Sequence, residues 1–128
     1  MKNIYLYKVG RNLNRTIRLA YSFGYANLNL IDCKKSFLKG NTFSAKDVKL
    51  IDSILPNMDR TLVLEYDASK TITDINLDDF DNILIGGESV NLTSKLGVKV
   101  KIPTVNNFCL TTESALSIIL HEINKKIF

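Results

Sequence analysis

Cysteine, histidine and proline are scarce in this chain of 128 residues, and each scarcity excludes a class of protein. The two cysteines, Cys33 and Cys109, are too few for a disulfide framework and do not form a CxxC pair. With a single histidine besides, the sequence predicts no metal site. The chain has two prolines and contains no low-complexity tract. We therefore expect a reduced, cytoplasmic globular protein.

Long apolar runs are also missing. No stretch approaches the roughly 20 residues that a membrane-spanning helix needs, and residues 1–5 turn polar too early for a signal peptide. We expect no membrane partner. The formal net charge of +4 favours an anionic partner, because basic surface attracts phosphate backbones.

Apolar residues alternate between strand-like and helix-like spacing along the chain, which predicts an α/β fold with a mostly parallel sheet flanked by helices. Strands are predicted at residues 4–9, 28–31, 62–64, 83–85 and 98–102. Helices are predicted from Asn12 to a C-cap at Gly24, from a capping box at Ser44 to Pro56 with Val48, Ile51 and Leu55 buried, and from Thr112 to Lys126. Residues 67–81 are predicted to be a loop with a short helical turn at 77–80.

The first predicted helix carries three arginines on one face. Arg11, Arg15 and Arg18 are spaced four and three residues apart, which places them on one side of a helix. They form either a solvated polar face or a stripe that binds phosphate groups in a bidentate way. Asn12, which precedes the helix, is open to an N-cap role as well.

Polar turns follow two of the predicted strands. Gly86, Gly87 and Glu88 come directly after residues 83–85, and Asn106 begins a turn after residues 98–103. Polar turns at the ends of buried strands are where open α/β folds bind ligands.

Three blocks of this sequence resemble, in order, the three motifs of the SpoU (TrmH-type) branch of the SPOUT RNA methyltransferases. In the first block, Asn12 precedes Arg18 by six residues and Gly24 follows it by six. The second block, 83–92, has a strand followed by Gly86, Glu88 and Leu92 at the motif positions. In the third, Ile102-Pro103 leads through a short loop to Cys109-Leu110-Thr111 and a long apolar helix.

The resemblance implies a C-terminal trefoil knot, S-adenosylmethionine (SAM) as methyl donor, a homodimer, and ribose 2′-O-methylation of tRNA or rRNA. It implies one SPOUT-like domain over residues 1–128, with no separate RNA-binding extension. The implied catalytic residues are Asn12, Arg18, Glu88 and Cys109. The implied SAM-binding residues are Leu64, Gly86, Gly87, Ile102, Leu110 and Thr111. Arg11, Arg15 and Arg18 are the expected RNA-binding residues.

The sequence departs from the family pattern at Gly87, Ser89 and Asn91 of the second block and at two site positions of the third. Cys109 stands where the family has serine, and Thr111 where it has asparagine. The alternative is therefore a SPOUT-like RNA-binding protein that has lost catalysis. A third hypothesis, an unrelated flavodoxin-like or nucleotide-binding domain, lacks the glycines of a phosphate loop. Cys109 is otherwise expected to be a small buried residue and His121 an interface or core residue. The broad apolar surface of the last helix predicts burial from both sides, one by a second subunit.

Overall fold

The structure is a computed structural model of the chain, and it describes residues 2–25, 28–38, 48–51, 60–87, 97–106 and 109–125. The strands are β1 (Asn3–Tyr7), β2 (Leu28–Ile31), β3 (Val48–Ile51), β4 (Thr61–Leu64), β5 (Asn82–Gly86) and β6 (Val98–Val100). The helices are α1 (Leu13–Ser22) and α2 (Thr112–Asn124), with short 3₁₀ turns at Lys35–Leu38, Ile72–Asp74 and Leu77–Asp79.

The strands form one parallel sheet in the order β3-β2-β1-β5-β4-β6. Its register aligns Leu6 with Ile85, Ile85 with Leu64, and Leu64 with Val100. All carboxyl ends therefore meet at one edge, which we call the carboxyl edge. From β1 the chain continues to β2 on one side, and from β5 it continues to β6 on the other. The gap between β1 and β5 is thus the switch point where open α/β sheets bind ligands.

Aliphatic side chains cover both faces of the central strands. On one face, Leu6 and Ile85 join Ile17 of α1 and Leu116 and Ile119 of α2 in the main core. On the other face, a second cluster contains Ile31, Val63 and Leu84, with Tyr5 and Tyr7 packed against it. Strands buried on both faces explain why the predicted strands read as nearly continuous apolar runs.

The two helices lie side by side and run in the same direction. At their amino ends, Arg15 of α1 pairs with Glu113 of α2, with 3.4 Å between Nη1 and Oε1. At their carboxyl ends, the Asn124 side chain donates a hydrogen bond to the Phe23 carbonyl at 3.3 Å. Since α1 follows β1 after a short loop, the amino ends of both helices lie at the carboxyl edge of the sheet.

Most of the predicted elements are confirmed. The structure has strands at the five predicted places and helices where α1 and α2 were expected. Gly24 ends α1 with a φ of +88°, the left-handed conformation that favours glycine at this position. The turn expected at residues 77–80 is the 3₁₀ turn Leu77–Asp79.

The helix predicted from Ser44 to Pro56 is wrong where the structure describes the chain. Val48–Ile51 is strand β3, and its residues pair with β2 in parallel register. A short aliphatic run with residues three apart fits either period, and here pairing to the open edge of β2 decides the outcome. Ser44, Leu55 and Pro56 lie outside the described residues. The trefoil knot stays a prediction.

Candidate active site at the carboxyl edge

The structure joins the start of α2 to the end of β5. The hydroxyl of Thr112 donates a hydrogen bond to the carbonyl of Gly86 at 2.9 Å, and the Thr112 side chain is buried. This contact brings Leu110 and Thr111, which immediately precede α2, to the carboxyl edge beside Gly86. Two segments 26 residues apart, each predicted to bind the cofactor, therefore meet at one place.

Gly87 packs against the loop that follows β1. Its N–H donates to the Tyr7 carbonyl at 2.9 Å, and a Cβ added at Gly87 would overlap the backbone carbonyl of Lys8. Lys8 has a φ of +51°, and its ammonium pairs with Asp32 at 3.7 Å. Contact with the Lys8 backbone thus requires a glycine at this position, whether or not a ligand also lies there.

Leu64, Ile102 and Leu110 give this edge an apolar lining. Leu64 is buried at the end of β4, while Ile102 and Leu110 are half-buried. Partly exposed apolar side chains beside strand-end backbone groups suit an adenine ring, which needs apolar contact on its faces and hydrogen bonds at its rim. The residues present therefore fit SAM.

The two departures from the family pattern lie just before α2, and both are exposed. Cys109 is exposed, so the expectation that it is a buried apolar residue is wrong. Its thiol donates to the Leu110 carbonyl at 3.5 Å. Thr111 is the N-cap of α2 and accepts a hydrogen bond from the Ser114 N–H at 3.2 Å. It also donates to the Ser114 hydroxyl at 2.7 Å, so its polar atoms already serve the start of the helix.

Arg15 and Arg18 lie on the exposed face of α1, opposite its buried residues, whereas Arg11 is exposed in the turn before the helix, so the prediction of three arginines on one helical face is wrong for Arg11. Arg15 is the member of this arginine stripe that contacts α2, through Glu113. Because the helix rises about 1.5 Å per residue, Arg18 lies roughly 4.5 Å farther from the carboxyl edge than Arg15. Asn12 occupies the N-cap position but makes no side-chain capping hydrogen bond. The predicted N-cap position of Asn12 is confirmed, although its side chain does not make the capping hydrogen bond.

The remaining residues singled out in the sequence are Glu88 and His121. Glu88 lies outside the described residues. His121 is exposed near the end of α2, so the core interpretation is wrong. Within the described part of the chain, no group of three or more His, Cys, Asp or Glu side chains is placed to hold a metal ion. Nor does this part contain a helix long and apolar enough to cross a membrane.

The burial of Glu65 is a feature of this edge that sequence reasoning did not indicate. Glu65 follows Leu64 at the end of β4 and is only 7% exposed. In the sequence, a glutamate after three apolar residues looks like the ordinary polar end of a strand. β4 lies between β5 and β6 in the sheet, so Glu65 follows an interior strand.

Solved RNA methyltransferases share this fold. A structure concerned with 2′-OH methylation of C/U34 on tRNA is 22% identical, with a TM-score of 0.78 over 99% of this chain and 91% of that one. The AdoMet-bound rRNA methyltransferase of Sinorhizobium meliloti is 17% identical, with a TM-score of 0.76 over 99% of this chain and 57% of that one. The A. aeolicus TrmH/SpoU tRNA modifying enzyme is 13% identical, with a TM-score of 0.62 over 97% and 74%.

The fold is therefore the one found in SpoU/TrmH-type SPOUT methyltransferases, over nearly the whole chain. This chain spans little more than half of the Sinorhizobium enzyme. No protein-family model and no curated protein sequence matches it. The sheet order also differs from the 2-1-3-4-5 order of flavodoxin-like folds, which disfavours the third hypothesis.

Proposed function

We propose that this protein is a SAM-dependent RNA methyltransferase that methylates ribose 2′-hydroxyl groups of tRNA or rRNA. The observation that carries the proposal is the hydrogen bond from Thr112 to Gly86, which assembles two of the three motif blocks at the carboxyl edge. The fold shared with enzymes of this activity supports it.

The cofactor side of the site consists of the backbone at Gly86 and Gly87, the apolar Leu64, Ile102 and Leu110, and Thr111. When bound there, SAM supplies a methyl group on a sulfonium centre. The apolar side chains exclude water from the adenine, and the strand-end backbone groups hydrogen-bond its rim. Gly87 keeps the loop after β1 against this edge through its contact with Lys8.

The RNA side consists of Asn12, Glu88, Cys109 and the arginine stripe. The guanidinium of Arg18 stays protonated at neutral pH, so it positions a phosphate or the ribose hydroxyl and does not act as a base. Glu88, the carboxylate of this set, accepts a hydrogen bond from the hydroxyl. Asn12 orients Arg18 or the ribose. Cys109 assists weakly, because a thiol is a poor hydrogen-bond donor. Positioning of nucleophile and methyl group is the main catalytic effect.

A homodimer completes the proposal. Ile118 on α2 is 37% exposed, and α2 is the more apolar of the two described α-helices. An apolar side chain left exposed on such a helix is suited to a subunit interface. Sedimentation of the full chain tests this: a purely monomeric protein at micromolar concentration would contradict it.

The test of activity is incubation of the protein with methyl-labelled SAM and total RNA, comparing Arg18→Ala with Arg60→Ala. Both variants lose one positive charge, but Arg60 lies at the opposite edge of the sheet, paired with Asp81. We expect Arg18→Ala to lose about a hundredfold or more of the transfer rate with its thermal stability unchanged, and Arg60→Ala to retain it. No transfer to any RNA by the wild type would overturn the proposal. Equal rates for the two variants would remove Arg18 from the site.

A second candidate is an RNA-binding protein without catalysis. The observation that favours it is the capping role of Thr111, whose hydroxyl is engaged by Ser114. In that case the protein retains RNA on a filter but transfers no label. Changing Cys109→Ser and Thr111→Asn together, toward the family pattern, would then create or raise activity.

A further inference from the structure

Lys8 and Asp32 share an unusual backbone conformation at the carboxyl edge of the sheet. Tyr7 and Ile31 are the last paired residues of β1 and β2, and Lys8 and Asp32 follow them directly. Both have left-handed conformations, with φ of +51° and +53°, and they are the two non-glycine residues with positive φ in the described part of the chain. A side chain makes this conformation costly, and aspartate tolerates it better than lysine does. Lys8 is therefore a lysine at a position where the backbone favours glycine.

Contacts from both neighbouring strands hold Lys8 in this conformation. Its N–H donates to the Ile31 carbonyl at 3.0 Å, and a Cβ at Gly87 would overlap its carbonyl. Strained backbone persists only where its surroundings fix it, and such positions are concentrated at functional sites. Gly87 belongs to the segment that we assign to the cofactor, and Arg11 lies three residues after Lys8. The position thus adjoins both the cofactor side and the RNA side of the proposed site.

The ammonium of Lys8 is exposed and only weakly held. The side chain is 48% exposed, and its Nζ lies 3.7 Å from Oδ2 of Asp32 and 5.3 Å from the ring centroid of Tyr7. A distance of 3.7 Å allows charge attraction but no hydrogen bond, so this pair leaves the N–H donors available to another oxygen. An ion pair this exposed adds little to stability. It therefore does not offset the cost of the left-handed backbone.

The described residues just after β1 and β2 carry more exposed cations than anions. Lys8, Arg11 and Lys34 are exposed there, and Asp32 is the acid beside them. Such a surface attracts RNA phosphates. Lysine binds a phosphate as a point charge on a flexible four-carbon stem. The ammonium of Lys8 can thus exchange Asp32 for a phosphate without any movement of the backbone.

We infer that Lys8 binds a backbone phosphate of the RNA beside the nucleotide that is methylated, and that Asp32 holds the ammonium at this edge when RNA is absent. Because the backbone of Lys8 is already fixed, little of it has to be ordered when RNA binds. This inference rests on the proposed function, since it requires RNA at the carboxyl edge. The carboxylate in the methionine part of SAM is the competing target, because it is also an anion.

Binding of bulk tRNA to the full chain at a series of salt concentrations tests the inference. Each phosphate contact contributes about 0.7–0.9 to the slope with which log affinity falls against log salt. In Lys8→Gln we expect the slope to be shallower by this amount, which corresponds to about five- to eightfold weaker binding at about 0.1 M salt. In methyl transfer to total RNA, KM should rise by a similar factor with kcat nearly unchanged, because a contact remote from the reacting atoms binds ground state and transition state alike.

Lys125→Gln is the matched control. Lys125 is also exposed and ion-paired, with its Nζ 3.2 Å from Oε2 of Glu122, but it follows α2 at the opposite edge of the sheet. This variant loses the same charge and should keep the slope of the wild type. Equal changes of slope in the two variants would overturn the inference, because the effect would then be one of net charge. Loss of S-adenosylhomocysteine affinity in Lys8→Gln, with the affinity for tRNA kept, would also overturn it, in favour of the carboxylate.

Lys8→Gly separates this role from a structural one. Glycine accepts the left-handed backbone, so the variant should keep or raise the melting temperature, with its slope as shallow as that of Lys8→Gln. A lower melting temperature with the slope of the wild type would overturn the inference. Methyl transfer by the wild type would leave the proposed function standing in that case. If the wild type neither binds tRNA at low salt nor methylates any RNA, both the proposed function and the inference fail.

Discussion

At the scale of single residues, Gly87 is a position where the surrounding backbone leaves no room for a side chain. A Cβ there would overlap the Lys8 carbonyl, whereas one at Gly10 would have no neighbour within 4 Å. Gly87→Ala must displace the loop after β1, and we expect it to lower the free energy of unfolding by about 1–3 kcal/mol. Gly10→Ala is the control and should change it by less than about 1 kcal/mol. Urea unfolding measures both, and equal effects would contradict the contact.

Tyr25 makes stability depend on pH in the alkaline range. It is buried, and burial raises the pKa of its phenol above the ordinary value of 10.0. At a pH between the ordinary pKa of Tyr25 in the unfolded state and its raised pKa in the folded state, the folded state holds a proton that the unfolded state has lost. The free energy of unfolding therefore falls as the pH rises. Tyr25→Phe should make this fall shallower. Tyr66→Phe, at a half-exposed tyrosine, should leave it as in the wild type. Urea unfolding at a series of pH values from about 9 to 11 gives the slopes.

Residue-level prediction from the sequence succeeded for the positions of Arg15 and Arg18, which lie exposed on α1, and was wrong for Arg11, which precedes the helix. It did not predict that Glu65 is buried or why position 87 requires a glycine. The burial of Glu65 depends on the tertiary structure around the end of β4, and the need for a glycine at position 87 depends on contact with Lys8, about 80 positions away. Neither contact leaves a trace in local sequence.

At the scale of elements, the pair Arg15–Glu113 connects the arginine stripe with the start of α2. Its members are 72% and 28% exposed, so its contribution to stability is below about 1 kcal/mol. Its larger effect is that the guanidinium of Arg15 is paired with Glu113 and competes with any RNA phosphate for that charge. Glu113→Gln should therefore raise RNA affinity by about two- to threefold at low salt, with the gain disappearing as salt rises.

Filter binding of RNA at two salt concentrations measures this effect. Glu122→Gln carries the same change of net charge on the same helix but pairs with Lys125 in the wild type. If both variants gain equally, the effect is one of total charge and Arg15 has no special part in RNA binding.

Elements with a long, consistent period were predictable, and short ones were not. α1 and α2 each repeat an apolar face over several turns, and their prediction is confirmed. β3 is four residues long, and its sequence fits a strand or a helix equally well. Pairing with the open edge of β2 decides between the two conformations.

At the scale of the whole molecule, charge is divided between the two edges of the sheet. Near the amino edge lie Asp78, Asp79 and Asp81, where Arg60 lowers the pKa of Asp81. Near the carboxyl edge lie Arg11, in the turn before α1, and Arg15, in the first turn of α1. The arginines at the carboxyl edge favour the approach of a polyanion to the edge that carries the proposed cofactor site.

The strand order of the sheet also determines when β1 can pair with its two neighbours during folding and synthesis. β1 lies between β2 and β5, and its residue Asn3 is paired with Asn82, 79 positions later. Contacts so distant along the chain make folding slow, on the order of milliseconds to seconds. During synthesis, β1 and β2 leave the ribosome together, yet one side of β1 stays open until β5 has emerged. A nascent chain of this protein therefore exposes an apolar strand edge for most of its translation, and a chaperone is best placed to cover it then.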